Sequence, residues 1–86
     1  MLIHTFNSPE ALIKFSHRVS KEDQVLLIED GVYCINNSID INCLRLMALK
    51  EDCQLRGIVP RQSIDMVSYP EWVQICTQAD NHLSWY

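Results

Sequence analysis

The sequence predicts an α/β domain, with a mostly parallel sheet of four to five strands and helices on both faces. Three observations carry that prediction. Val25-Leu26-Leu27-Ile28 is an unbroken apolar run ahead of Glu29-Asp30-Gly31, which reads as a strand buried on both faces rather than a half-exposed one. Strand-like and helix-like segments alternate along the chain, and that alternation favours parallel strands joined by crossover helices. Two helix starts carry proline near the first position, in Asn7-Ser8-Pro9-Glu10 and in Tyr69-Pro70-Glu71, where a missing N–H is no loss.

Met1 to Thr5 reads as a first short strand. Ser8 can cap the helix that follows, and Glu10 complements its dipole. That helix runs to about Val19, with Leu12, Phe15 and Val19 as one buried stripe. Lys21-Glu22-Asp23 is a polar turn before the central strand. Gly31 permits a sharp turn after it. Glu29 and Asp30 then lie at the strand's carboxyl end, where open α/β sheets place their functional crevices. Val32 to Ile35 reads as a short helix, ended by Asn36-Asn37-Ser38 in a polar loop reaching about Asn42. Cys43 to Leu49 is the third strand. Lys50 to Gly57 is a short helix with an acidic first turn, Arg56 in its last turn and Gly57 as its stop. Ile58 to Ser63 is a loop containing Pro60, and Ile64 to Ser68 is the fourth strand. The last helix runs from Tyr69 to about Ala79. Asp80-Asn81-His82 is polar, and Leu83-Ser84-Trp85-Tyr86 reads as a short fifth strand or an interface anchor.

With 86 residues, the chain is one domain spanning 1–86. A domain this small buries only about two-thirds of its unfolded surface and gains from a partner. The formal charge of −4 and the seven scattered Lys and Arg argue against direct nucleic-acid binding. No apolar run approaches the roughly 20 residues of a membrane span. Met1-Leu2-Ile3-His4 has no basic region and no long apolar core, so no signal peptide is expected and the chain is read as cytoplasmic. Its four cysteines are then expected to be reduced. There is no Cys-x-x-Cys, no zinc-ligand spacing, no Gly-x-Gly-x-x-Gly and no Walker-type loop, so no metal and no cofactor is expected.

Candidate chemistry is sparse. Cys53 falls in the first turn of a helix, where the dipole favours a thiolate, although Glu51 and Asp52 oppose it. Cys34 follows the Glu-Asp-Gly turn near the expected crevice. Either could carry sulfur, and the plainer reading of both is packing or contact. Cys43 reads as a strand residue. Cys76 follows Trp72 and Val73 at helical spacing, which favours the core. Glu29 and Asp30 could act as general acid and base, but adjacent side chains at a strand end diverge. The plainer reading has Asp30 capping the short helix after Gly31 and Glu29 pairing at a surface. His4, His17 and His82 are widely spaced, and His4 on a first strand reads as a satisfied polar neighbour. Trp72, Trp85 and Tyr86 could stack on bases, yet the acidic charge favours core or subunit contact. Trp85 and Tyr86 are the interface candidates.

Several segments together resemble the TusB/DsrH family, tRNA 2-thiouridine synthesizing protein B. They are Met1-Leu2-Ile3-His4-Thr5 with Asn7-Ser8-Pro9, then Leu26-Leu27-Ile28-Glu29-Asp30-Gly31-Val32, then Ala48-Leu49-Lys50-Glu51-Asp52-Cys53-Gln54-Leu55-Arg56-Gly57, and Trp85. The resemblance implies a DsrE-like, flavodoxin-like three-layer sandwich. It marks Glu29, Asp30, Gly31, Val32, Leu49, Asp52, Arg56 and Gly57 as family positions. It implies TusC-like and TusD-like partner subunits in a heterohexamer, which takes persulfide sulfur from a TusA-like donor and passes it to a TusE-like acceptor. The sulfur ends as the 2-thio group of a tRNA wobble uridine, or, in a DsrEFH-like complex, enters sulfur oxidation. The main sulfur-carrying cysteine of the family's complex belongs to the TusD-like partner. Some members of the B family add a cysteine in the first helix, and Ala11 to Arg18 here has none. The expected role is therefore a non-catalytic, structural subunit. The alternatives are a sulfurtransferase acting through Cys34 or Cys53, and a stand-alone binding module on the same kind of sheet.

Overall fold

A computed structural model of the chain describes residues 2–36, 41–60, 64–79 and 81–86. The expectations placed on Met1, Asn37-Ser38, Ser63 and Asp80 lie outside these residues. Among the described residues the elements are β1 (Leu2–Phe6), α1 (Pro9–Phe15), a 3-10 turn (Ser16–Arg18), β2 (Gln24–Leu27) and a 3-10 helix (Glu29–Cys34). They continue with β3 (Arg45–Leu49), α2 (Lys50–Leu55), β4 (Asp65–Val67), α3 (Tyr69–Gln78) and β5 (Asn81–Trp85).

The strands form one parallel sheet in the order β4-β3-β2-β1-β5. β2 is central, as its apolar run requires, and Val25, Leu26 and Leu27 are all buried. From β1 to β4 the chain steps in one direction across the sheet. It then returns through α3 over the whole width to place β5 beside β1. Parallel crossovers keep one hand, so reversing the direction of travel puts the connection on the opposite face.

The side chains confirm two faces. On one, Phe6, Val25, Leu27 and Ala48 pack under α1, the 3-10 helix and α2, through Ala11, Leu12, Val32, Ile35 and Cys53. On the other, Leu26, Met47, Leu49 and Val67 pack against Trp72 and Ile75 of α3. Register explains the division, because Phe6, Leu27, Ala48 and Met66 are Cα partners across four strands and so project to the same side.

Local signals set most boundaries. Ser8 caps α1 by accepting from the Ala11 N–H at 3.1 Å. Ser68 and Glu71 form a reciprocal capping box on α3. Gly57, at φ 65°, ends α2 in the left-handed region. Some expectations need correction. α1 ends at Phe15 and tightens into the 3-10 turn before Val19. β3 starts at Arg45, so Cys43 precedes the strand. The second helical segment begins at Glu29, ahead of Gly31, and is 3-10 rather than α.

β5 is held to β1 by polar contacts on both faces. On one, the Trp85 indole N–H donates to His4 Nδ1 at 3.0 Å, and the Trp85 ring stacks on Phe15 at 4.6 Å. His4 Nδ1 is thereby an acceptor, so Nε2 carries the proton and donates to Asp23 Oδ2 at 2.8 Å. On the other face, Thr5 Oγ1 and His82 Nε2 lie 2.6 Å apart.

Candidate functional site

The carboxyl ends of β1, β2 and β3 converge on one polar cluster. β2 stops at Leu27, and the Ile28 N–H donates to the Phe6 carbonyl at 3.0 Å. Gly31 sits so close to β1 that a Cβ there would lie 2.4 Å from the Phe6 carbonyl oxygen. That contact, not a positive φ, is what requires glycine. The positive φ belongs to Glu29, at 49°, a conformation that costs a non-glycine residue about 1 kcal/mol or more. It is held by Asp52, whose Oδ2 accepts the Glu29 N–H at 2.7 Å.

Arg56 ties the cluster together. Its Nε donates to Asp30 Oδ1 at 3.1 Å, its Nη1 lies 3.7 Å from Asp52 Oδ1, and its guanidinium sits 6.0 Å from the Tyr33 ring centroid. Glu51 accepts the Tyr69 N–H at 3.3 Å and so links α2 to the start of α3. Glu29, Asp30, Asp52, Arg56 and Gly31 are thus brought together, with Val32 and Leu49 buried beneath them. Gly57 lies at the far end of α2, on the surface.

This cluster fastens loops and does not resemble an acid–base pair. Asp30 points to Arg56, whereas Glu29 contributes its backbone to Asp52. The expected capping role of Asp30 is corrected as well. The 3-10 helix starts at Glu29 with Ile28 in the cap position, so Asp30 lies inside it and no side chain caps it.

All four cysteines are free thiols, and burial raises the pKa of each. Burial pushes the Cys34 thiol up, and the charge of Glu10 adds to that. Burial also raises Cys53, with Asp52 adding and Arg56 opposing. Cys53 therefore lacks the thiolate character that its place near a helix start suggested. Burial dominates for Cys43 and Cys76 too. Cys34 and Cys53 are core residues, at 6% and 1% exposure. Cys76 is not in the core. Trp72 and Ile75 face the sheet, and Cys76, about 100° further round the helix, lines a shallow cavity of about 300 Å³ with Trp72, Val73 and Thr77. Among the described residues, no group of three or more His, Cys, Asp or Glu could hold a metal ion, and no helix is long and apolar enough to cross a membrane.

Of the two interface candidates, Trp85 packs into the chain's own core and Tyr86 is 81% exposed. Sequence reasoning missed Asp23, which it placed in a polar turn. Asp23 is 4% exposed and accepts from Leu2 N, Ser20 N and His4 Nε2. Burial alone would raise its pKa. The N–H of Ser20, the His4 ring, the N–H of Leu2 and the Ser20 side chain outweigh that and hold it at about 2. The Ser20 contact is local and marks only a turn, whereas the partner that makes Asp23 a buried hub, His4, is 19 positions away.

Comparison with known proteins adds three findings. A family model described as DsrH like protein matches residues 7–82. The solution NMR structure of protein Tm0979 from Thermotoga maritima aligns with a TM-score of 0.69 at 17% identity, covering 90% of this chain and 92% of that one. Likeness at that identity establishes the fold alone. No curated protein matches the chain.

Proposed function

The chain belongs to the DsrH-like family, and on that premise we propose that it is a non-catalytic subunit of a sulfur-relay complex. Family membership supports the general role of a sulfur-relay subunit. In the finer reading, the chain assembles with TusC-like and TusD-like subunits into a heterohexamer. That complex passes persulfide sulfur from a TusA-like donor to a TusE-like acceptor, for 2-thiolation of a tRNA wobble uridine.

The observation that carries the non-catalytic reading is the state of the thiols. A sulfur carrier must present a thiolate to its donor, which needs access and a depressed pKa. Here Cys34 and Cys53 are buried, and burial raises both. The polar cluster at the carboxyl ends of β1, β2 and β3 is cross-linked by Arg56 and Asp52 rather than left open for chemistry. Such a rim suits a surface that keeps its shape while a neighbour docks.

Co-expression with TusC-like and TusD-like subunits tests the reading. The chain is expected to co-elute with both in one complex, and elution on its own would refute the assembly role. Intact-mass analysis after incubation with a persulfide donor separates this role from a sulfurtransferase. The expected result is no added sulfur on the reduced chain, whereas a gain of 32 mass units (~one sulfur) abolished by Cys34→Ala or Cys53→Ala would assign the catalytic role instead.

A further inference from the structure

β5 pairs with β1 alone, packs on α1, and leaves its first four residues exposed. Two side-chain ties cross the β1–β5 seam, and each runs through a histidine ring. On the α3 face, Thr5 Oγ1 meets His82 Nε2 at 2.6 Å. On the α1 face, the Trp85 indole N–H donates to His4 Nδ1 at 3.0 Å. The His4 and Trp85 rings lie within 9° of parallel, with centroids 6.1 Å apart, as a hydrogen bond in the plane of both rings needs.

The Trp85 bond fixes a charge state. An indole N–H only donates, so His4 Nδ1 is a bare acceptor and the ring is neutral. A charged imidazole carries a proton on both nitrogens. Its Nε2–H keeps Asp23 Oδ2, 2.8 Å away, but its Nδ1–H meets the Trp85 N–H, donor against donor. His4 is 1% exposed, so water reaches Nδ1 only once Trp85 moves. Burial raises the pKa of Asp23, but hydrogen bonds from Ser20, His4 and Leu2 outweigh it and hold it at about 2. An imidazolium at His4 therefore keeps a full ion pair with Asp23 and loses only Trp85. The strand partners of His4 are Val25 and Leu83. The other charged or titratable groups of α1's last turn, the 3-10 turn and the turn before β2, namely Lys14, His17, Arg18, Lys21 and Glu22, are exposed.

We propose that His4 is a proton-operated latch on β5: neutral, it holds Trp85 and the strand; charged, it turns wholly to Asp23 and lets Trp85 and β5 leave the sheet. The released form binds one proton more than the latched form, so the latch opens as pH falls and closes as it rises. Release disturbs little else. Among the described residues, Trp85 is the β5 residue packed against either core. The ladder from β1 to β4 stays paired, and the outer edge of β1 and the ring of Phe15 are uncovered. The latch does not depend on the sulfur-relay reading, and testing it uses this chain alone, so either can fail without the other.

Hydrogen exchange followed by NMR on the full chain, from about pH 8 to about pH 5 and corrected for intrinsic rates, tests the latch. β5 amides bonded to β1 and the Trp85 indole N–H are expected to lose protection by up to about tenfold per pH unit, the slope of a single proton, while β2 amides keep theirs. His4→Gln retains a donor and an acceptor but takes up no proton, and its β5 protection is expected to be flat with pH. Trp85→Phe keeps a ring on Phe15 and removes the N–H, so its β5 protection is expected to be lower throughout and also flat. His82→Gln leaves His4 intact and is expected to retain the slope. Protection of β5 that is independent of pH in the unsubstituted chain overturns the proposal. So does loss of β5 and β2 protection together, a slope that survives His4→Gln, or one abolished by His82→Gln alone. Should a variant fail to fold, the ring-nitrogen shifts of His4 in the unsubstituted chain decide: charging in step with the loss of β5 protection is expected, and a ring that stays neutral while β5 opens refutes the latch.

Discussion

Asp23→Asn removes the buried carboxylate that joins the start of β1, the turn at Ser20 and the His4–Trp85 contact. Both oxygens of Asp23 face donors: Oδ1 accepts the Leu2 N–H at 3.2 Å, and Oδ2 accepts the Ser20 N–H at 3.1 Å and His4 Nε2 at 2.8 Å. An asparagine amide must turn its NH₂ toward one of these sides, where donor meets donor. The carboxyl is held at about 2 against an ordinary value of 3.8. That difference corresponds to about 2 kcal/mol of stability in the ionised form. A loss of that size lowers the melting temperature of a domain this small by ~8–16 °C. Because the folded-state pKa is depressed, the unfolded chain takes up the proton first as pH falls. The stabilisation is complete above the ordinary value and is lost as pH drops through the folded one. Urea unfolding followed by far-UV circular dichroism should thus show a gap of about 2 kcal/mol between native and Asp23→Asn chains at neutral pH, closing as the pH approaches 2. A gap that is absent at neutral pH, or unchanged in acid, would refute this account of Asp23.

Two further predictions follow from the glycines and from His82. Gly31→Ala forces a Cβ to within 2.4 Å of the Phe6 carbonyl and should cost about 1–3 kcal/mol or more through overpacking; Gly57→Ala meets no atom within 4 Å and pays only for its φ of 65°, about 1 kcal/mol. Urea midpoints check the order, and equal losses would contradict the steric reading of Gly31. His82 is pushed below its ordinary value of 6.5 by burial, so its ring should titrate below that value by NMR. Its contribution to stability should then fade as pH drops from there; a midpoint above 6.5 would contradict burial as the influence that sets its protonation.

Much of the fold was legible in the sequence because its signals are local. The apolar run before Glu29 marks a strand that must be covered on both sides, and β2 is indeed the middle strand, although it ends at Leu27 and leaves Ile28 half-buried beyond it. Pro9, Pro70 and Gly57 stand where helices start and stop. What was not legible depends on distant partners. That β5 joins β1, rather than continuing beyond β4, follows from the crossover through α3 and from contacts such as Trp85 with His4, 81 residues apart. Asp23 looked like one more acidic turn residue until His4 and Leu2 were placed against it. The Glu29 turn begins early because Asp52, 23 positions on, accepts its N–H. Cys76 was misplaced for a different reason: helical spacing from Trp72 gives a stripe, but not which side of that stripe meets the sheet. Glu29 and Asp30 were legible as residues at a strand's carboxyl end, and their cross-linking to Asp52 and Arg56 is visible only in three dimensions.

The proposed role turns on whether sulfur ever passes through this chain. Reconstituted sulfur transfer from a TusA-like donor to a TusE-like acceptor, using the complex carrying Cys34→Ala and Cys53→Ala in this subunit, asks that directly, with co-elution of the subunits as the check on folding. The expected result is an intact complex that transfers sulfur at the unsubstituted rate; an intact complex that no longer transfers would place a cysteine of this chain on the sulfur path and contradict the non-catalytic role.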